Sequence, residues 1–310
     1  MMLDLVSIVD ELLPGFLTSA NPSVASVCTT RPKYLVFDDD PTRPACVVEF
    51  GEPERLMRID RILRALRVKM ASGIPASLCC REWQPGTYVH VQEGLAGAPW
   101  FRVAEGIASE AQWRRLLERS VDAMRRLHVA TRRLDAWTGR VHVAEELDRQ
   151  VALCRSRDIA LGGATLARID EWGNDAAAAG PLATCWQHGD FSLNNLLVAA
   201  NSVAIIDFEE FGGTSVPLHD AFGLALSVTL SQGSDCTLPR QECIRACVHT
   251  AIADEAIEPG CVPALLLHHL LWRVNQCHGL PRRAPLRETL LAWIEQLTVA
   301  PHTFLGQLAQ

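Results

Sequence analysis

The sequence predicts an α+β, bilobal fold: a small β-rich N-terminal lobe with one main helix over residues 1–94, and a larger helical C-terminal lobe over residues 95–310. Three observations predict it. Short apolar runs parted by turn chemistry fill the first 94 residues. A single segment of helical period interrupts them. Beyond residues 94–99 the texture changes to long amphipathic stripes, broken once by an apolar hairpin.

Residues 2–13 read as a short amphipathic helix that stops before Pro14-Gly15. Three β-like runs follow: SVASVC (23–28), KYLVF (33–37) and ACVVEF (45–50). TTRP and DDDPTRP separate them, and both are turn chemistry. Over residues 54–67, Leu56, Ile59, Leu63 and Leu66 fall on one helical face, with Arg and Asp between them. Gly73 and Pro75 end that segment. SLCCREW and TYVHVQEG then read as two more strands around Pro85-Gly86. Trp113, Leu116, Leu117, Val121, Met124 and Leu127 make a strong helical stripe, and Val143, Leu147, Val151 and Cys154 a second. Residues 176–179 read as a loop or a helix end. Helical patterns return near 216–230, 240–253, 262–277 and 286–298.

The bulk numbers exclude several classes. Hydrophobic residues are 48% and charged residues 21% of the 310, an ordinary globular balance. A net charge of −7 leaves no global reason to hold nucleic acid. No run of about 18 apolar residues exists, so no membrane span is expected. Asp4, Asp10 and Glu11 in the N-terminal stretch argue against a secretory signal. The 11 cysteines are odd in number and form no C-x-x-C pair, which predicts a reduced, cytoplasmic protein using Cys as a small apolar residue. The only lysines are Lys33 and Lys69.

The chemistry concentrates in WQHGDFSLNNLLVAANSVAIIDFEEF, residues 186–211. LLVA and SVAIIDF are apolar, partly β-branched runs joined by Ala200-Asn201-Ser202. If the turn centres on Asn201, Leu197 lies opposite Ile205 and Asn195 opposite Asp207, with Cβ atoms about 4.5–5.5 Å apart. A carboxylate and an amide carbonyl then converge at the open end of the hairpin. That is hard-oxygen coordination and suits Mg²⁺, which shares its other positions with water and phosphate oxygens. Asp190, five residues before Asn195, can approach as a general base or as the group that orients a hydroxyl. His188 beside it holds the loop. Asp and Asn also flank strands because they favour turns, and spacing alone leaves both readings open.

H-G-D-x-x-x-x-N followed by I-D-F-E resembles the aminoglycoside phosphotransferase and choline kinase family, which has a protein-kinase-like fold. The matching residues are His188, Gly189, Asp190 and Asn195, then Ile206, Asp207, Phe208 and Glu209. Pro217 and Asp220 match a later proline and aspartate, VQEGLAG (91–97) resembles the hinge, and Leu127-His128 resembles a Leu-His pair at a helix end. The resemblance implies an ATP- and Mg²⁺-dependent phosphotransferase acting on a hydroxyl of a small molecule. It implies Asp190 as the catalytic aspartate, with His188 beside it in the catalytic loop, and Asn195 and Asp207 as metal ligands. The backbone at Gln92, Glu93 and Leu95, with Val47, would meet the nucleotide. Positioning and charge neutralisation carry most of such a transfer.

Two parts of the family pattern are absent. Where the third strand should present a lysine, CVVEF places Glu49, and residues 16–50 contain no glycine for a phosphate loop. SANPS or ASVCTT could serve as that loop. Glu49 admits three accounts. Lys33 could reach in to replace the missing charge. Glu49 could pair with Arg58 or Arg61 on the following helix, where Asp60 takes roughly the family's Glu position. Or nucleotide binding is lost and the chain is a non-catalytic pseudokinase. Among other candidates, the DDD run at 38–40 reads as a solvated turn. His268-His269 with Trp272 reads as packing on an apolar helix. Ser192 lacks the G-x-S-x-G elbow of a hydrolase nucleophile.

Overall fold

The structure, a computed structural model, describes residues 4–27, 31–107, 109–232 and 237–299, together with Leu308. The chain divides into two compact units by more than a single cut. One holds Met1–Ile107, Arg125–Arg133 and Leu193–Phe211; the other holds Ala108–Met124, Leu134–Ser192 and Gly212–Gln310.

The first unit is built on the antiparallel strands β1 (Ser23–Val27), β2 (Lys33–Phe37), β3 (Cys46–Gly51), β4 (Ser77–Gln84) and β5 (Thr87–Glu93), in the order β1-β2-β3-β5-β4. They occupy the apolar runs parted by turn chemistry, and because successive side chains of a strand point to opposite faces the sheet has two unlike faces. Val36, Cys46, Val48, Val89 and Val91 are buried against Leu5, Ile8, Val9 and Leu12 of helix α1 (Leu5–Leu12). Asp4 starts α1 by accepting the Ser7 N–H at 3.3 Å. The opposite face carries a polar row, since Lys33 on β2 pairs with Glu49 on β3, and Glu49 with His90 on β5. Helix α2 (Pro53–Lys69) begins with Pro53, packs on β4 and β5, and buries Leu56, Ile59, Ile62, Leu63 and Leu66.

A second sheet in this unit, β6 (Ala98–Pro99), β9 (Leu196–Val198) and β10 (Val203–Ile205), contains the hairpin and has the order β10-β9-β6. Its register corrects the expectation by one residue. Val198 pairs with Val203, Leu197 with Ala204, and Leu196 with Ile205. The Ala199 N–H donates to the Ser202 carbonyl at 2.9 Å, so the loop is the two residues Ala200-Asn201 and not three centred on Asn201. Asn195 and Asp207 are therefore not a cross-strand pair. The Ile206 N–H donates to the Asn195 carbonyl at 3.0 Å, and Asn195 closes a 3-10 turn (Leu193–Asn195). Asp207 then turns into the left-handed region at φ 65°.

The second unit is helical. Its elements include β7 (Thr138–Val141) paired with β8 (Leu182–Cys185), and helices α5 (Val143–Ser156), α6 (Gly163–Ala179), α7 (His219–Gln232), α8 (Leu238–Asp254), α9 (Val262–Gln276) and α10 (Ala284–Val299). Helices α3 (Trp100–Glu105) and α4 (Glu110–Arg132) precede them in the chain, and α4 runs through both units. The periodic pattern misses α6 because only Thr165, Ile169 and Ala176 of its residues are buried. Residues 176–179 are its last turn. α9 is buried on nearly every side, from Leu265 to Val274, as a core helix must be. No described helix is long and apolar enough to cross a membrane. The nine described cysteines are unpaired, and Cys28 and Cys236 lie outside the described residues.

Candidate active site

In the first unit, Lys33 Nζ donates to Asp207 Oδ1 at 3.0 Å, and both side chains are partly exposed. The β2–β3 register brings Lys33 to this face beside Glu49, and the left-handed turn at Asp207 presents the carboxylate. A non-glycine residue in that region is strained, and such strain clusters at functional sites.

Glu49 is only 2% exposed. Burial pushes its carboxyl up, and the nearby Lys33 and Arg55 offset only part of that rise. Its partner is Arg55, with Nη1 at 2.5 Å from Oε1, and not Arg58 or Arg61 as expected from the sequence. The strand ends at Gly51 and the helix begins at Pro53, so the first helical turn lies nearest the strand's end. A Cβ at Gly51 would sit 2.4 Å from Arg55 Nη2, so glycine leaves room for the guanidinium. Arg55 also reaches Glu209 at 2.8 Å, and Arg31 reaches the other Glu209 oxygen at 2.6 Å. Arg58 donates to the carbonyls of Glu209, at 2.8 Å, and Phe211. Among the described residues Arg61 bonds only its own helix, at Met57. Asp60 turns to Ser77 Oγ, which also meets His90 Nε2 at 3.0 Å.

Val47 and Gln92 are register partners on the same face as Glu49 and His90, and both are half-buried. The hinge is tied down beside them. The Gly94 N–H donates to the Ala45 carbonyl at 3.0 Å, and Arg43 Nε to the Gly94 carbonyl at 3.3 Å. A Cβ at Gly94 would fall 1.9 Å from the Pro44 carbonyl oxygen, a contact no side chain tolerates. The Glu93 carboxylate accepts the Ala76 N–H at 3.2 Å and pairs with Arg67 at 3.2 Å. Leu95 follows, half-buried.

In the second unit, the loop after β8 is held by Asp220, which is 0% exposed and accepts the N–H groups of His188 at 2.7 Å and Gly189 at 3.0 Å. Gly189 takes φ 83°, and His219 Nε2 lies 3.3 Å from its carbonyl. His188 is buried with its ring edge-on to Phe191, as fits a residue that holds the loop. Asp190 projects beyond them and meets Arg273 Nη1 at 2.8 Å. Burial alone would raise its carboxyl, but Arg273, His188 and Arg283 outweigh burial and hold it below the usual carboxylate range.

Asn195 and Asp207 supply an amide and a carboxylate from one hairpin whose segment, residues 195–211, contains neither Cys nor His. That donor set fits a hard cation such as Mg²⁺ better than a softer metal. Among the described residues no three His, Cys, Asp or Glu side chains group as a metal site.

The remaining candidates resolve into structure. Asp38 accepts the N–H groups of Thr18 at 3.0 Å and Ser19 at 2.7 Å, and Asp40 binds Thr42, so the acidic run is a turn. The same bonds tie the start of SANPS to the end of β2. ASVCTT runs into residues 28–30, outside the described residues. His268 and His269 are buried at 1% and 2% exposure, with His219 packed between Trp272 and His269. Reading by sequence missed Arg55 and Arg273. Arg55 was legible in Pro53 as a helix start, whereas Arg273 lies 83 residues from Asp190 and has no local signal.

A model of the phosphotransferase enzyme family matches residues 30–243. No curated protein sequence matches the chain. Among solved structures, a candidate aminoglycoside phosphotransferase from Ralstonia eutropha superposes with a TM-score of 0.66 at 14% identity, covering 98% of this chain and 97% of that one. A glucosamine kinase in complex with glucosamine, ADP and inorganic phosphate gives 0.56 at 18% identity, covering 90% and 80%. The GDP complex of aminoglycoside 2'-phosphotransferase-IIIa gives 0.59 at 11% identity, covering 95% and 97%. These likenesses show the kinase-like fold: an antiparallel N-terminal sheet with a larger helical part.

Proposed function

The chain belongs to the phosphotransferase enzyme family, and from that premise we propose that it transfers the γ-phosphoryl group of ATP, with Mg²⁺, to a hydroxyl of a small molecule in the cytoplasm. Asp190 orients that hydroxyl and takes its proton, while His188 holds the loop. Asn195 and Asp207 hold the Mg²⁺, which when bound would neutralise phosphate charge. The backbone at residues 92–95 and the Val47 side chain take the adenine. Lys33 supplies the cation that β3 lacks.

The observation that carries this reading is the 3.0 Å pair between Lys33 and Asp207. A cation already stands at the carboxylate where phosphate charge would gather, and Glu49 is engaged elsewhere by Arg55. In this reading a strand–helix ion pair with the carboxylate on the strand takes the place of the one whose lysine the resemblance implies. Melting temperature with ATP and Mg²⁺, compared with ATP and a chelator, tests the reading. Saturation at about 100 times Kd stabilises the fold by about 2.7 kcal/mol, and identical curves contradict it. A second reading, favoured by Glu49 in the lysine position, is a nucleotide- or partner-binding protein without turnover. Nucleotide stabilisation with no transfer to any acceptor selects it.

A further inference from the structure

The charge around Asp190 is opposite to that of the molecule as a whole. The chain carries −7, yet from residue 273 to residue 287 it has Arg273, Arg282, Arg283 and Arg287 and no acid. These residues are brought together by the fold. Arg273 is in the last turn of α9, which ends at Gln276. Gly279, at φ 72°, reverses the chain, and a 3-10 turn (Pro281–Arg283) leads directly into α10, which packs back on α9. Arg283 and Arg287 are four residues apart across that junction. Arg283 is exposed and Arg287 half-buried.

Arg273 binds Asp190 through one terminal nitrogen at 2.8 Å. The other donors of its planar fork have no partner among the described residues. Such a fork matches carboxylate and phosphate geometry with two parallel bonds. Arg283 also acts favourably on Asp190, and Arg287 joins Arg273 and Arg283 in acting on Cys277, in the turn that links the two helices. A cationic acceptor brought to Asp190 would meet a carboxylate already neutralised and arginines beyond it.

We infer that the acceptor hydroxyl belongs to an anion, a small molecule whose carboxylate or phosphate group is held by Arg273, Arg283 and Arg287. The inference rests on the proposed kinase reading and narrows its substrate class.

Two matched sets of compounds test it: glycerate, glycerol and 3-amino-1,2-propanediol; and glucuronate, glucose and glucosamine. Within a set the compounds are closely related polyols that differ in charge. Phosphorylation with Mg·ATP is measured, and separately the shift in melting temperature that each compound gives in the presence of Mg·ADP. The anion of each set is expected to have a KM at least tenfold below its neutral and cationic counterparts, or the largest thermal shift. The double variant Arg283→Gln/Arg287→Gln should lower that preference at least threefold, with the shift by Mg·ATP alone preserved as proof that it folds. Preference for the amines, equal responses, or no response from protein that Mg·ATP still stabilises would overturn the inference, as would a preference the double variant leaves unchanged. Absence of any Mg·ATP shift in the unmodified protein defeats the kinase reading instead, and this inference with it.

Discussion

Asp190 and Lys33 carry the sharpest expectations at the scale of single residues. Asp190 is held ionised by Arg273, so it suits orienting a hydroxyl more than strong basicity. Asp190→Asn is expected to cut turnover by about 10²–10⁴ while nucleotide affinity stays nearly intact; turnover assays and isothermal titration check this. Lys33→Ala should weaken Mg·ATP binding or turnover at least tenfold, about 1.4 kcal/mol. Lys69→Ala should do little, since Lys69 is exposed in the last turn of α2. Equal effects of the two would remove Lys33 from the phosphate-binding role. These residues were legible because the motif H-G-D-x-x-x-x-N and I-D-F-E is contiguous and lysines are scarce. Glu49's partner was missed although Pro53 marks the helix start, because α2 carries five arginines and only that start separates Arg55 from Arg58 and Arg61.

The junction of β3 with α2 is the element on which the first unit's charge balance turns. Arg55→Ala leaves Glu49 buried without its ion pair, a loss expected to cost about 3 kcal/mol, the low end for such breaks because Lys33 still faces the carboxylate. Denaturant unfolding of Arg55→Ala, Glu49→Ala and the double variant measures it, and strict additivity would mean that the pair is not coupled. The strands of this unit were readable from apolar runs and the turn residues between them, although β1 is exposed along its whole length. The hairpin's register was not, because a two-residue and a three-residue loop differ by a single step and both accept Asn. α6 was invisible for a different reason: a helix rich in alanine with a narrow buried stripe gives almost no periodic signal.

Across the whole molecule, acid stability follows from buried imidazoles. Burial pushes His90 and His219 down to about 4 and His268 to about 3, and places His269 well below its ordinary value. An unfolded histidine titrates near 6.5. Between that value and the folded ones, the unfolded chain binds protons that the folded chain refuses. Stability is therefore full above pH 6.5 or so and falls as the pH drops below it. Near pH 5.5 the slope should approach about four protons, and a flat melting temperature from pH 7.5 to 5 would contradict it. The reversed ion pair has a consequence at the same scale, for the chain's mutational neighbourhood. Glu49→Lys, the residue that the family resemblance implies at this position, sets a third cation beside Lys33 and Arg55 and should lower the melting temperature. Adding Arg55→Glu would then bring two carboxylates together, because Glu209 lies 2.8 Å from Arg55. Reversion needs Glu209 to change as well, so single steps in either direction descend in stability and the inverted arrangement is locked by its third member.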